Sequence, residues 1–404
     1  MKSFKIIAAI SVVSTSLFYS CASELETENN QTELTSNSQM QGRSREICDL
    51  FNNATESTLI PGVKAVYIDN GVSTTCHNNI LVFPTEQSYE DAIFQLDHMI
   101  DNHNDSFDQQ TAGMTDEEAD DYSDAIGFDE DMPLHKFEDE LGFCSLRQNI
   151  LTLEDDWLNQ QGDGAWNLET NPDSHYVEDE TERALLSLGS EFIVGNCKVG
   201  YKYYKRFDWG TVEIEINDLA ALSTLVTALN NIVGPTNING ATLAQVNEVV
   251  NASDSPNKVD IKDIGAIIGA LQPSTDCREI AKEKGEKVFS SDRRIIWKNK
   301  FVRKAGFGNS SPHVRGKSLT KSFRKKKGKW KKYRATISSG FDGVIYNNCS
   351  NTVSMVTSKQ KKRKRLKELK SVSDLGNYQI HKLKPNALIS QHKQEGNYFQ
   401  DEVY

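Results

Sequence analysis

Apolar and polar positions alternate most clearly between residues 63 and 83, near the start of the part of the chain expected to fold. Residues 63–68 (VKAVYI) have the period of a half-buried strand, residues 69–71 (Asp-Asn-Gly) carry turn chemistry, and residues 80–83 (ILVF) form a second apolar run closed by Pro84. Thr85 and Ser88 stand where a helix N-cap and its partner belong, and Ala92, Phe94, Leu96 and Ile100 predict a helix running to about residue 100. Shorter helical patterns follow over residues 134–141 and 146–158, the second with Leu146, Ile150, Leu153 and Trp157 on one face. Residues 192–204 and 211–216 read as paired strands around Asp208, Trp209 and Gly210. The period is helical again from 217 to 271, through Leu222, Leu225, Leu229, Val246, Val250, Ile261 and Ile264, with breaks at Asn239-Gly240 and at residues 253–256.

After a charged helix or linker over residues 277–287, apolar runs return at strand period near 295–297, 301–302, 319–323, 330–337, 343–346, 378–381 and 387–389. Those at 319–323 and 330–337 flank a basic tip as a long hairpin, with a bulge expected between Trp330 and Tyr333. The pattern predicts an α+β chain: an α+β domain over residues 47–216, a helical segment over 217–278, and an antiparallel β-domain over 279–404, sandwich or barrel-like.

Residues 1–46 follow a different logic. Lys2 and Lys5 precede a mostly apolar run over residues 6–18, and Leu17 and Ser20 lead into Cys21. This resembles the signal peptide and lipobox of bacterial lipoproteins, with Phe18 and Tyr19 standing where that family carries leucine and a small residue. The acidic tract Glu24, Glu26 and Glu28 is similar to the export signal of Bacteroidota surface lipoproteins. The resemblance implies cleavage after residue 20, lipidation of Cys21, a disordered tether over residues 21–46, and an extracytoplasmic, membrane-anchored protein of the outer membrane or cell surface. Two further segments, around Phe83, Pro84, Tyr89 and Ala92 and around Phe192, Gly195, Gly200 and Tyr201, resemble uncharacterised secreted proteins of the same group and imply no chemistry.

Charge divides the chain. The net charge is -11, yet residues 281–404 hold 31 Lys and Arg against 9 Asp and Glu, whereas residues 1–280 hold 15 against 48. An acidic body and a basic β-domain in one chain fit intramolecular docking, an anionic partner, or two separately solvated surfaces. Outside the cytoplasm the six cysteines other than Cys21 can pair; the simplest pattern joins neighbours, Cys48 with Cys76, Cys144 with Cys197 and Cys277 with Cys349.

The strongest functional lead is the basic domain. Arg324, Lys325, Lys326, Lys327, Lys329, Lys331 and Lys332 at the hairpin tip, with Lys361, Lys362, Arg363, Lys364 and Arg365, form a candidate surface for an anionic glycan, a lipid headgroup or an acidic protein. Specific nucleic-acid binding is not expected. Tyr201, Tyr203, Tyr204, Phe207 and Trp209 form a dense aromatic group that suits either a stacking platform or a sheet core. The carboxylates of residues 105–131 suit calcium only loosely, because no calcium-loop register is found, and they read as an acidic loop. Val259, Asp260 and Asp263 resemble part of a dockerin calcium loop whose other ligand positions are absent. No metallopeptidase, nucleophile-elbow or P-loop motif occurs, so no catalytic residue, metal or cofactor is assigned. The expectation is a non-catalytic binding or adhesion protein, with a secreted hydrolase or a dockerin-like assembly protein as alternatives.

Overall fold

The computed structural model describes residues 46–68, 79–232, 240–253, 258–262, 281–304, 313–347, 351–373 and 381–404. Cys21, Cys76, Asp263, Cys277, Cys349 and the expected strand at 378–380 lie outside those residues. The fold class is α+β as expected, built on three sheets, none closed into a barrel.

The acidic body is a seven-stranded sheet in sequence order, β1 (Thr55–Glu56), β2 (Lys64–Tyr67), β3 (Asn79–Phe83), β4 (Glu191–Asn196), β5 (Gly200–Arg206), β6 (Thr211–Ile216) and β7 (Lys258–Lys262). Only the β3–β4 pairing is parallel, and the long crossover it requires carries α2 (Glu86–Gln110), α3 (Asp116–Ile126), α4 (Met132–Glu140), α5 (Leu146–Gln160) and α6 (Glu180–Ala184). Residues 46–52 form α1, and α7 (Leu219–Ile232) and α8 (Leu243–Ala252) follow β6. Both faces of the sheet are covered. Ile80, Val82, Ile193, Tyr203 and Ile214 meet α1, α7 and α8, while Leu81, Phe83, Phe192 and Tyr204 meet α2, α4 and α5. That double burial explains why β3 reads as an unbroken apolar run.

The basic half is a sandwich. One sheet contains β8 (Ala281–Ser290), β9 (Arg293–Lys304), β10 (His313–Lys326), β11 (Lys329–Lys332) and β15 (Arg365–Ser373), with β10 paired first to β15 and then to β11. The other contains β12 (Ala335–Asn347), β13 (Asn351–Ser354), β14 (Thr357–Arg363), β16 (His381–Lys382), β17 (Leu388–Gln394) and β18 (Asn397–Glu402). Phe301, Val314, Phe341, Ile345, Met355 and Leu388 fill one end between the sheets. The other end is polar, with hydrogen bonds across the gap: Ser339 donates to Ser318 at 2.8 Å, Asn299 to Ser390 at 2.7 Å and Gln394 to Ser322 at 2.8 Å.

Several elements differ from expectation. Residues 258–262 form a strand against β6 instead of a third helix, placing Val259 opposite Ile214 and Asp260 opposite Glu213, so they form no helix-flanked loop of the dockerin kind. Residues 281–290 are strand β8, not helix or linker. The acidic stretch from 105 is the end of α2 followed by α3, whose capping box joins Thr115 and Glu118. Between Trp330 and Tyr333 there is a strand end, where the chain leaves one sheet for the other.

The cysteines also pair differently. Cys48 is bonded to Cys197, 149 residues away, which ties α1 to the β4–β5 turn. Cys144 is likewise disulfide-bonded, with its other half outside the described residues. Sheet topology overrides neighbour pairing, because α1 lies beside the β4–β5 turn, about 150 residues further along the chain.

Candidate functional site

The alternation of β10 decides the chemistry of the basic half. Gly316, Ser318, Thr320 and Ser322 turn into the sandwich, where each is buried, and Lys317, Leu319, Lys321 and Phe323 turn out toward the acidic body. The neighbouring strands continue this outer face in register. Lys317 lies opposite Lys300, which lies opposite Lys282; Leu319 lies opposite Lys298 on one side and Lys367 on the other. Cations directly opposite one another across strands repel and destabilise a sheet. Here carboxylates of the body interleave between them.

Asp173 meets Lys298 at 2.7 Å, Lys321 at 3.1 Å and Arg183 at 2.7 Å. Glu154 meets Lys321 at 2.6 Å and Lys332 at 3.2 Å. Asp179 and Asp97 hold Lys367 at 2.6 and 3.2 Å, and Glu180 pairs with Arg365. Burial alone would raise the Glu154 carboxyl, but Lys321 and Lys332 outweigh it and bring its pKa down to about 2. Asp173 is held well below the usual carboxylate range in the same way, burial being outweighed by Lys298, Lys321 and Arg183.

The residues singled out as an anionic-ligand surface are distributed along this seam. Arg324 pairs with Asp120 and Asp121, Lys325 with Asp163, and Lys326 with Asp121 and Asp124. Lys332 reaches Glu154 and Asp155, Lys361 reaches Asp105, Lys362 reaches Asp116, and Arg363 reaches both Asp105 and Asp108. With Arg365 on Glu180, eight of the twelve are ion-paired within the chain. Lys327, Lys329, Lys331 and the side chain of Lys364 carry no ion pair among the described residues, and the first three are exposed. The Asp120, Asp121 and Asp124 carboxylates converge within 4.8 Å of one another, and the cations that meet them are Arg324 and Lys326.

Two anchors of the seam lie outside the basic runs. Arg334 is fully buried, pairs with Asp108 at 2.6 Å and also with Glu130, and lies over the rings of Phe107 and Phe128 at 4.8 and 5.2 Å. Arg294 lies 4.2 Å from the Trp166 ring and 4.1 Å from that of Trp330, in a cluster where Trp157 and Trp166 of the body meet Ile296, Phe323 and Trp330 of the sandwich. A solitary arginine gives no run to notice; only its neighbours in space mark it.

The aromatic group of the body is core. Tyr201, Tyr203, Tyr204, Phe207 and Trp209 are all buried, so they offer no stacking platform. Lys205 is buried beside them, 3.6 Å from Glu191, and donates to the Gly189 carbonyl and to Asn230.

Cavities open along the seam, and two of them are bordered by its charged residues. The larger, about 470 Å³, is bordered by Asp131, His135, Glu154, Lys332, Lys364 and Arg365. The smaller, about 250 Å³, opens over β8, β9 and β10. No family model and no curated protein matches this chain. Among solved structures, a DUF4848 family protein from Bacteroides thetaiotaomicron is similar over 80% of this chain and 96% of its own, with 10% identity and a TM-score of 0.17.

Proposed function

We propose that the chain acts outside the cytoplasm as a membrane-anchored, non-catalytic binding or adhesion protein, held at Cys21, and that it contacts an anionic partner through the tip of the β10–β11 hairpin. The supporting observation is the division of the basic surface. Carboxylates of the body neutralise most of it and leave Lys327, Lys329 and Lys331 facing solvent. The tip is also stiff. Lys327 and Gly328 have φ of 52° and 79°, the two left-handed residues of a tight two-residue turn, and Trp330 is buried between Lys329 and Lys331. Three cations are thus presented without an ion pair to an acid among the described residues. The carboxylates deepest in the seam, Glu154 and Asp173, are held ionised by lysines and are poorly suited to donate protons, which weighs against a hydrolase.

Binding of the full mature chain to immobilised heparin and to vesicles rich in anionic lipid tests this reading. The expected result is binding to one of them that weakens steeply with salt and is lost in Lys327→Glu/Lys329→Glu/Lys331→Glu. Unchanged binding by that variant, or no binding to either probe, overturns it. For the anchor, detergent-phase partitioning should disappear in Cys21→Ala; partitioning that persists overturns it.

A further inference from the structure

We infer that the smaller seam cavity is a binding site for an oxyanion, a phosphate, sulfate or carboxylate group, seated on the Lys317 ammonium. This site is separate from the hairpin tip and does not depend on that reading. Every other cation on the outer face of β8, β9, β10 and β15 that borders the two cavities has a carboxylate within ion-pair distance: Lys282 and Lys300 share Glu178 at 3.2 and 3.4 Å, Lys284 has Glu169 at 3.3 Å, and Lys298 has Asp173. Lys317 has none among the described residues, although it borders both cavities and lies in the row Lys282, Lys300, Lys317.

The surroundings leave positive charge over. Five lysines border the smaller cavity against three glutamates, and those three are poorly placed to supply the missing charge. Glu169 is 85% exposed at the rim, and Glu283 accepts from the backbone N–H of Tyr404 at 2.9 Å. Glu178 pairs with Lys282 and Lys300 and also feels Lys317 and Lys298; burial would raise its pKa, and these lysines bring it down to about 2. Burial likewise lowers the Lys317 ammonium, with Asp179 and Glu178 opposing and Lys367 and Arg183 adding to the shift. A bound anion would remove both imbalances.

Size and access fit a group carried on a small molecule. At roughly 30 Å³ per water, a cavity of about 250 Å³ has the room of about eight waters, more than an inorganic oxyanion fills. The entrance is open, with the Lys282 side chain half exposed, and Ser174 supplies a hydroxyl at the wall.

Calorimetry on the full mature chain, at constant ionic strength in chloride, tests the inference with sodium sulfate, inorganic phosphate and glucuronate as probes. The expected result is one site per chain for at least one probe, weakened tenfold or more in Lys317→Met, largely restored in Lys317→Arg, and weakened less in Lys282→Met at the entrance. Preference for glucuronate assigns an acid borne on a sugar; preference for sulfate or phosphate assigns the free ion. Without anion, Lys317→Met should melt no lower than the parent, because it removes a half-buried cation that has no direct ion pair among the described residues, and of these two only the parent should gain melting temperature from the anion. Absence of binding by all three probes, or equal binding by Lys317→Met, overturns the inference. The hairpin-tip variant should bind these probes unchanged, so failure of one site is distinguishable from failure of the other.

Discussion

Lys321 and Glu154 form an ion pair at 2.6 Å, both side chains almost wholly buried, although 167 residues separate them along the chain. One comes from the outward face of a strand in the sandwich, the other from a helix of the body. Neither residue would remain charged in that position without the other side of the seam.

Breaking this pair should cost more than removing it. Glu154→Leu leaves Lys321 and Lys332 without their shared carboxylate and should destabilise the protein by about 3 to 5 kcal/mol, whereas Lys321→Met/Glu154→Leu should lose clearly less than the sum of Lys321→Met and Glu154→Leu. Urea unfolding of the four proteins of the cycle measures the coupling, and strict additivity would contradict it.

Acid should loosen the molecule in two stages. His175 and His392 are buried and held neutral, burial bringing both pKa values down to about 3. In the unfolded chain they take up protons below about 6.5, so stability should decline as pH falls from about 6.5 toward 3. Glu154 and Glu178, with folded values of about 2, contribute stability that is complete above their unfolded value of about 4.3 and is lost as pH falls from there toward 2. Urea midpoints measured between pH 7 and pH 3 should slope throughout and steepen below about 4.3. In His392→Gln the upper slope should be reduced.

The Cys48–Cys197 bond closes a loop between residues 149 apart. In the chain-entropy account a loop of that size contributes about 5 kcal/mol. Cys48→Ala/Cys197→Ala should therefore melt well below the parent in calorimetry, and a reducing agent should shift the parent in the same direction.

Arg294 should resist replacement even by another cation. Its guanidinium lies against both Trp166 and Trp330, while Nη1 and Nη2 donate to the Gly164 and Asp163 carbonyls at 3.2 and 3.1 Å. An ammonium cannot lie flat against two rings and reach both carbonyls. Arg294→Lys should lower the melting temperature and alter tryptophan emission, with a cost of roughly 1 to 3 kcal/mol.

Much of the body was legible because its partners are apolar. The alternation at 63–68, the unbroken run at 80–83 and the face of Leu146, Ile150 and Trp157 all report burial against carbon, the Thr85–Ser88 cap reports local hydrogen bonding, and each element is found. Elements that pack against charge gave no such signal. Helix α3 reads as an acidic loop because the side chains that receive it, Arg324, Lys326 and Lys362, are cations instead of leucines. Strands β14 and β15 were concealed for the same reason, since Lys361, Arg363 and Lys367 occupy positions where a periodicity search looks for apolar residues. The basic runs are plain in the sequence, but which of their charges are paired within the chain depends on contacts more than 150 residues apart.

The lysine face of β10 also bears on the order of assembly. A slip of one residue in that strand would carry Lys317 and Lys321 between the two sheets and leave Glu154 and Asp173 opposite hydroxyls, so incorrect registers reject themselves only once the body is present to be matched. The body is synthesised first and can serve as the template on which the basic strands condense. A polypeptide of residues 281–404 made alone would carry 31 cationic side chains against 9 anionic ones with no mould to set them. It should stay unfolded or aggregate on polyanions, and the preceding half supplied in trans should promote its folding.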